Sequence, residues 1–440
     1  MKGDIVQFEK SLVLQKRAHE LIPGGCHTYA KGDDQYPALS PGFIQKGFGC
    51  HVIDVDGNMF IEYGMGLRSV TLGHAYGPVL EAARRQMQWG NNFVRPSPIE
   101  VECAEEFLSM IRGAEMVKFA KNGSDATSAA VRLARAFTGR DLIAVCADHA
   151  FFSVDDWFIG TTEMSSGVPA ATRDLTVKFR YNNIGSVRAL FDQYPRRIAG
   201  LILEPEKNTQ PAAGFLKTLK QLCSREGALL IFDEMITGFR WHNGGGQAFY
   251  DVVPDLSTFG KAMGNGFSIA ALAGKREIMR LGGLDHDRER VFLLSLTHGA
   301  EIPNLAAALE VMRIYQRETV VKVLWKQGRR LSAGITKSID ELELGGYFEL
   351  IGEPCCLVYA TRDQNKQPSQ SFRALFLQEL IKLGILAPSF IVSYSHDDDD
   401  IDRTVQAVHG ALFYYKKALC EGVDRYLVGG PVKPVFRKYN

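Results

Sequence analysis

Lys261 stands in an unusual frame. In the run PDLSTFGKAMGNGFSIAALAG, residues 254–274, it follows a short apolar and hydroxyl-bearing segment and opens a glycine-broken loop. A surface lysine needs no such setting, whereas an amine in a water-poor pocket has a lowered pKa and becomes a nucleophile toward carbonyls. In ALLIFDEMITGFR an apolar run ends in two carboxylates, Asp233 and Glu234. Ligands of α/β sheets gather at the carboxyl ends of strands, so a carboxylate there can hold a cationic ring nitrogen, or it can cap the next segment. In KNGSDATSAAVRLAR, Gly123 and Ser124 lead straight into a helical pattern. The unpaired N–H groups of a helix start, with a hydroxyl beside them, form an anion site; a plain N-cap is the ordinary alternative.

Each feature alone has a bland explanation, a surface lysine above all. Together, an anion cradle, a strand-end carboxylate and an amine one strand–helix–strand step later match the phosphate, ring nitrogen and aldehyde of pyridoxal phosphate. Competing motifs fail. Lys261 lacks the upstream glycine spacing and the following Ser/Thr of a P-loop, and GMGLRS, residues 64–69, lacks the third glycine of a dinucleotide loop. The acidic run HDDDDID reads as a helix start, where carboxylates favour the dipole, ahead of a metal site, because consecutive side chains diverge.

These residues need a scaffold. The apolar runs LIAVCA (142–147), IAGLILEP (198–205), ALLIFDE (228–234) and IAALAG (269–274) predict buried strands, with helices between them over 126–139 and 213–227. That alternation predicts a parallel or mixed α/β sheet with helices on both faces. A long helix over roughly 303–340, short strands near YFELIGEPCCLVYA, a helix over 371–383 and a last helix to about 421 suggest a smaller C-terminal domain. A chain of 440 residues exceeds one ordinary core. Composition, 46% hydrophobic and 23% charged, is that of a soluble globular protein, and a net charge of +1 gives no reason to expect nucleic acid or an acidic membrane. No apolar run approaches the roughly 18 residues of a membrane span. The N-terminal stretch MKGDIVQFEKSLVLQKRAHELIPGG lacks the apolar region of a signal peptide and reads as an amphipathic helix ended by Pro23 and Gly24. The eight cysteines form no CxxC pair and read as core thiols of a protein in a reducing cytoplasm.

Across most of its length, from LIPGG at 21 to LAPS at 389, the sequence resembles the class III, fold-type-I aminotransferases, in the branch that contains glutamate-1-semialdehyde aminomutase. GALLIFDEMITGFR, VVPDLSTFGKAMGNGF, LGHAYGPV (72–79) and GSDATSAAVRLARAFTGRD (123–141) carry the resemblance. It implies an α/β fold: a large cofactor-binding domain over 71–310 with a mixed, mostly parallel sheet flanked by helices, and a small α+β domain over 311–440 to which residues 1–70 contribute. By position, Lys261 resembles the Schiff-base lysine and Asp233 the partner of the pyridine nitrogen, keeping it protonated. Met235 would pack under the ring, Gly123, Ser124 and Asp125 resemble the phosphate loop, and Glu204 resembles an acidic residue lining the pocket. Thr297 resembles a threonine that reaches the phosphate of a partner subunit, which implies a homodimer. For His149 and Phe151, ordinary packing and a role over the ring both stand open.

Departures from the aminomutase fall at substrate positions. Lys31 replaces the arginine that would bind a substrate carboxylate, and a lysine is a point charge without the bidentate fork. Leu67 stands for a tryptophan with Arg68 beside it, Asp148 stands for a tyrosine, Glu206 and Lys207 interrupt apolar positions, and His242 lies in a glycine-rich WHNGGGQ. Retained cofactor positions with altered substrate positions imply an aminotransferase that takes its amine from an amino acid, L-glutamate by family expectation. Lys31, Arg68, Glu206 and His242 would then meet a polar carbonyl acceptor, such as a keto sugar or a sugar-derived acid of surface-polysaccharide biosynthesis. The alternatives are an aminomutase moving the amine within one molecule, a decarboxylase or racemase on the same fold, and a non-catalytic binding protein.

Overall fold

The computed structural model describes residues 7–299 and 301–439. The runs LIAVC, IAGLIL and LLIFD are buried at every position, as strands covered on both faces must be. They belong to a seven-stranded sheet whose members we number in chain order: β1 (Met116–Ala120), β2 (Leu142–Cys146), β3 (Thr176–Phe179), β4 (Ile198–Leu203), β5 (Leu229–Asp233), β6 (Leu256–Phe259) and β7 (Ala270–Gly274). Across the sheet the order is β1-β7-β6-β5-β4-β2-β3. The pairs from β3 through β6 are parallel, and β7 runs antiparallel to both of its neighbours, β6 and β1. Two reversals restore direction, so β1 runs with the other five, and all six carboxyl ends lie along one edge.

The helix Gly123–Thr138 lies on this sheet through Ala126, Ala129, Ala130, Val131, Leu133 and Ala134, mostly small side chains that let it approach closely. Gly139, at φ 65, ends it in the left-handed conformation that glycine adopts without strain. The expected helix over 213–227 spans Phe215–Glu226 and ends in the same way at Gly227. The expected long helix over 303–340 is two helices, Ile302–Arg317 and Val320–Glu341. Glu318 turns extended between them, and Thr319 is of a type that favours the position before a helix.

By its internal contacts the chain divides into two compact units. One is Gly77–Val321 with the last residues of the chain; the other runs through Tyr76 and resumes over Lys322–Arg437. The second unit holds antiparallel strands Ile44–Phe48, His51–Asp54 and Met59–Glu62, with Ile385–Leu386 added parallel to the last. It also holds the hairpin of Phe348–Ile351 and Val358–Thr361 and the packed helices Gln370–Lys382 and Asp398–Glu421. The acidic run does start a helix: Asp397 accepts from the Asp400 N–H, and Asp400 accepts from the Asp397 N–H. The N-terminal helix is Glu9–Leu21, and the first six residues of the stretch read above lie outside the described residues. Its amphipathic expectation needs correction: Ser11 and Ala18 are its buried residues, whereas Leu12, Val13, Leu14 and Leu21 are exposed. Among the described residues no helix is long and apolar enough to cross a membrane.

Ile231, at the centre of β5, is fully buried. Ile231→Ala leaves a cavity between strands that cannot close around it, and should cost about 2–5 kcal/mol in denaturant-induced unfolding.

Candidate active site

The carboxyl edge of the sheet gathers the residues singled out by type and spacing. Asp233 is the last residue of β5, Glu204 follows β4, His149 follows β2, and Lys261 lies just past β6. Strands β5 and β6 are neighbours, and Asp233 pairs in register with Thr258. Lys261 itself takes φ 45, a conformation that a lysine holds only where its surroundings dictate it.

Met235 joins three of these features. A Cβ on Gly123 would lie 3.0 Å from the Met235 Sδ, and one on Gly260 would lie 2.7 Å from it. The sulfur therefore sits against both the start of the helix and the residue before Lys261, and a Cβ at either position would press on it.

Asp233 is buried, and its Oδ1 accepts from the Met235 N–H at 3.0 Å and from the Thr258 hydroxyl at 3.3 Å. Both bonds fall on the same oxygen. Burial, reinforced by the Glu204 charge, pushes its carboxyl up to about 7 against the pull of Lys261. Glu234 points elsewhere. Its carboxylate accepts from the N–H groups of Gly246 and Gln247, each at 2.7 Å, and from the Thr237 hydroxyl. The glycines of WHNGGGQ have a cause here: a Cβ on Gly245 would come within 2.7 Å of the Glu234 Oε2. Of the two alternatives open to a strand-end carboxylate, Glu234 caps the next segment and Asp233 faces the Lys261 charge.

At the helix start, the Asn122 side chain accepts from the Asp125 N–H at 3.1 Å. The N–H groups of Gly123 and Ser124 lie in the first turn, where no helical carbonyl can reach them. The Ser124 Oγ accepts from the Val154 N–H at 3.0 Å, and one buried oxygen of Asp125, Oδ2, has no hydrogen-bond partner.

Glu204 is buried too. Burial alone would raise its carboxyl, but the Lys207 ammonium, with Nζ 2.9 Å from Oε1, outweighs that and holds it below the ordinary range, helped by His149 and Lys261. Its Oε2 is buried without a partner. His149 accepts from the Glu204 N–H through Nδ1 at 3.1 Å and packs on Tyr181, ring centroids 4.9 Å apart. Burial pulls its pKa down to about 4, so the ring is neutral. Phe151 is exposed and meets Phe158 edge-on.

The residues expected to meet substrate are dispersed. Glu206 is buried, accepting from the Trp241 indole N–H at 2.8 Å and from the Tyr250 hydroxyl, so it braces the interior. Asp148 pairs with Arg180, and His242 is exposed, its Nδ1 accepting from the Gly244 N–H. In the other unit Lys31 lines a cavity of about 530 Å³ together with His27, Leu67 and His74. Arg68 does not line it; it ends a stretch, Met65–Arg68, in which all four residues take positive φ. Thr297 is exposed, and its carbonyl accepts from the Asn92 amide.

Sequence reasoning missed Thr258 and Tyr181, and it noted Lys207 and the glycine before Lys261 without a role. Only the register of β5 and β6 reveals Thr258; the Lys207–Glu204 pair could have been suspected from its three-residue spacing.

The chain is similar to known proteins along most of its length. The family model described as aminotransferase class-III matches residues 29–344, more than half of the chain. A glutamate-1-semialdehyde 2,1-aminomutase of Acetivibrio thermocellus is 33% identical over 434 residues, covering 93% of this chain and 99% of that protein. A 3-aminobutyryl-CoA aminotransferase of Cloacimonas acidaminovorans is 30% identical, covering 94% and 99%. Among solved structures, the FumI protein of Sphingopyxis sp. MTA144, in a PLP internal aldimine form, superposes with a TM-score of 0.86 at 27% identity, covering 94% of this chain and 98% of that one.

The raised carboxyls make a prediction for protein stripped of any cofactor. Native Asp233 and Glu234 keep protons up to about 7 that the unfolded chain releases near 3.8 and 4.5. Their contribution to stability is present at low pH and is lost as pH rises through that window. Unfolding free energy of the wild type, measured in denaturant and referred to Asp233→Asn, should fall between about pH 4 and pH 7 and level off above that. A flat difference would mean that the carboxyl is not raised.

Proposed function

We propose a function on one premise: this chain belongs to the class III aminotransferases, enzymes that depend on pyridoxal phosphate. When bound, pyridoxal phosphate supplies an electron sink for negative charge at the carbon that bears the amine. The residues present fit it. Gly123 and Gly260, having no Cβ, let the Met235 sulfur sit against both the helix start and the residue before Lys261, and Asp233 and Glu204 bring buried carboxyl oxygens to the same sheet edge. The N–H groups of Gly123 and Ser124 would hold the phosphate, with Asp125 beside them and Met235 against the ring. Asp233, its Oδ1 already engaged, would accept from the ring nitrogen through its other oxygen, and the positive charge gained there would draw its pKa back down. Lys261 would bond the aldehyde through Nζ and, once released, carry a proton to and from the substrate carbon. His149, neutral and fixed by the Glu204 N–H, serves as packing at the site.

The reaction we assign is transfer of an amino group from L-glutamate to a polar carbonyl acceptor. The observation that carries it is the convergence of Lys261, Asp233 and the Gly123 helix start around one methionine. For the acceptor, Lys31 supports an acid-bearing molecule, such as a sugar-derived acid, ahead of a neutral keto sugar. It is a cation on a cavity of about 530 Å³, whereas Glu206, Asp148 and His242 are already bonded within the protein. We assign the enzyme to the cytoplasm, in keeping with eight free cysteines, and to a homodimer in which the exposed Thr297 meets the partner's phosphate. A second reading, intramolecular amine transfer, is favoured by the 33% identity to an aminomutase along nearly the whole chain.

The visible spectrum of the purified enzyme tests both. A yellow band that bleaches on adding L-glutamate, and that Lys261→Ala lacks, supports transamination. A yellow protein indifferent to glutamate that isomerises glutamate-1-semialdehyde would establish the second reading. Lys31→Ala should raise KM for an acid acceptor roughly tenfold or more with kcat little changed, as loss of a charge-assisted contact of about 1.5–3 kcal/mol implies.

A further inference from the structure

Cys50, His51 and Asp400 meet at a place that transamination leaves unused. Gly49 and Cys50 link the strands Ile44–Phe48 and His51–Asp54, and Phe48 pairs with His51 across the turn. Gly49, at φ 55, lets the link fold inward, so that Cys50 is only 1% exposed although it sits at a hairpin tip. Asp400 comes from the first turn of the helix Asp398–Glu421. The Cys50 Sγ lies 3.0 Å from the Asp400 Oδ2 and 3.5 Å from the His51 Nδ1, and the His51 Nε2 lies 3.3 Å from the Asp400 Oδ1. The Phe48 ring stacks on the imidazole at 5.6 Å and 15°, fixing its plane.

From this geometry we propose that Cys50, His51 and Asp400 bind a zinc-class divalent ion that clamps the hairpin to the helix. One donor atom from each residue lies within 4.8 Å of the other two. An ion among them is then no more than about 2.8 Å from each, and small side-chain rotations bring the donors to the roughly 2.0–2.3 Å of zinc bonds. A thiolate, an imidazole and a carboxylate suit a borderline ion, whereas calcium and magnesium favour all-oxygen sets. The Cys50 S–H gives its proton to solvent as the sulfur–metal bond forms, the imidazole contributes a ring lone pair, and Asp400 contributes a carboxylate oxygen. The His51 side chain, 22% exposed, leaves a path for the ion and for a water as fourth ligand. Asp400 caps its helix and also takes contacts from both the Cys50 thiol and the His51 imidazole, so the three donors already converge without an ion. Cys50 and Asp400 are 350 positions apart, so a clamp here ties the beginning of this unit to its end.

Cofactor-loaded protein, treated with chelator and dialysed, is titrated with Co²⁺ and then with Zn²⁺. The expected result is one equivalent of cobalt with a thiolate-to-metal absorption band in the near ultraviolet, displaced by zinc, and a zinc-dependent rise in melting temperature. Cys50→Ser should lose the band, and His51→Gln should bind roughly tenfold or more weakly, both retaining transaminase activity and their metal-free melting temperature. Absence of the band, or its persistence in Cys50→Ser through the less buried Cys26 or Cys420, would overturn the proposal.

Discussion

Asp233 ends a strand that is buried along its whole length, and an ionised carboxylate in such a place costs several kcal/mol unless a positive charge meets it. The sheet supplies that charge through its order. Strands β5 and β6 are parallel neighbours, so the residues just past their ends emerge side by side, and Lys261 pulls on the Asp233 carboxyl against the burial that raises it. A one-residue slip of β6 would take Thr258 away from the Asp233 Oδ1 and move its side chains to the other face. The register is therefore a condition for the chemistry as much as for the core.

A second constraint is absence of side chain. The Met235 sulfur occupies the room beside Gly123 and Gly260, and the Glu234 carboxylate occupies the room beside Gly245. In each case a functional or capping group comes close to backbone, and a Cβ would push it away. The glycines that frame Lys261 and crowd WHNGGGQ thus mark close approaches rather than flexible hinges.

Polar residues near the sheet edge divide by what they do for the protein. Glu234 and Glu206 spend their oxygens on backbone N–H groups, an indole and hydroxyls, which holds loops in place. Glu204 is kept ionised by Lys207, three residues on, and retains one buried oxygen with no partner. Asp233 alone combines deep burial, a raised pKa and a lysine as its attractive charge. The same sheet edge thus holds acids that brace loops and one acid whose protonation answers to a neighbouring lysine.

Local chemistry made much of this legible in the amino-acid sequence. All-apolar runs announced buried strands, and 3.6-residue periodicity between them announced helices, because burial on two faces or one leaves its own pattern. Residue types at run ends singled out Lys261, Asp233 and Gly123, and the family resemblance extended over most of the chain. The tertiary structure decided matters that depend on distant neighbours. It showed what Glu234 does, since only folding turns its carboxylate onto the N–H groups of Gly246 and Gln247. It showed Glu206 bonded to Trp241 and Tyr250, far along the chain, where sequence alone suggested a substrate contact. It broke the helix over 303–340 at Glu318, and it left the leucines of the N-terminal helix exposed. Side-chain identity is written locally, but whether a polar group is satisfied, and by what, is a property of packing.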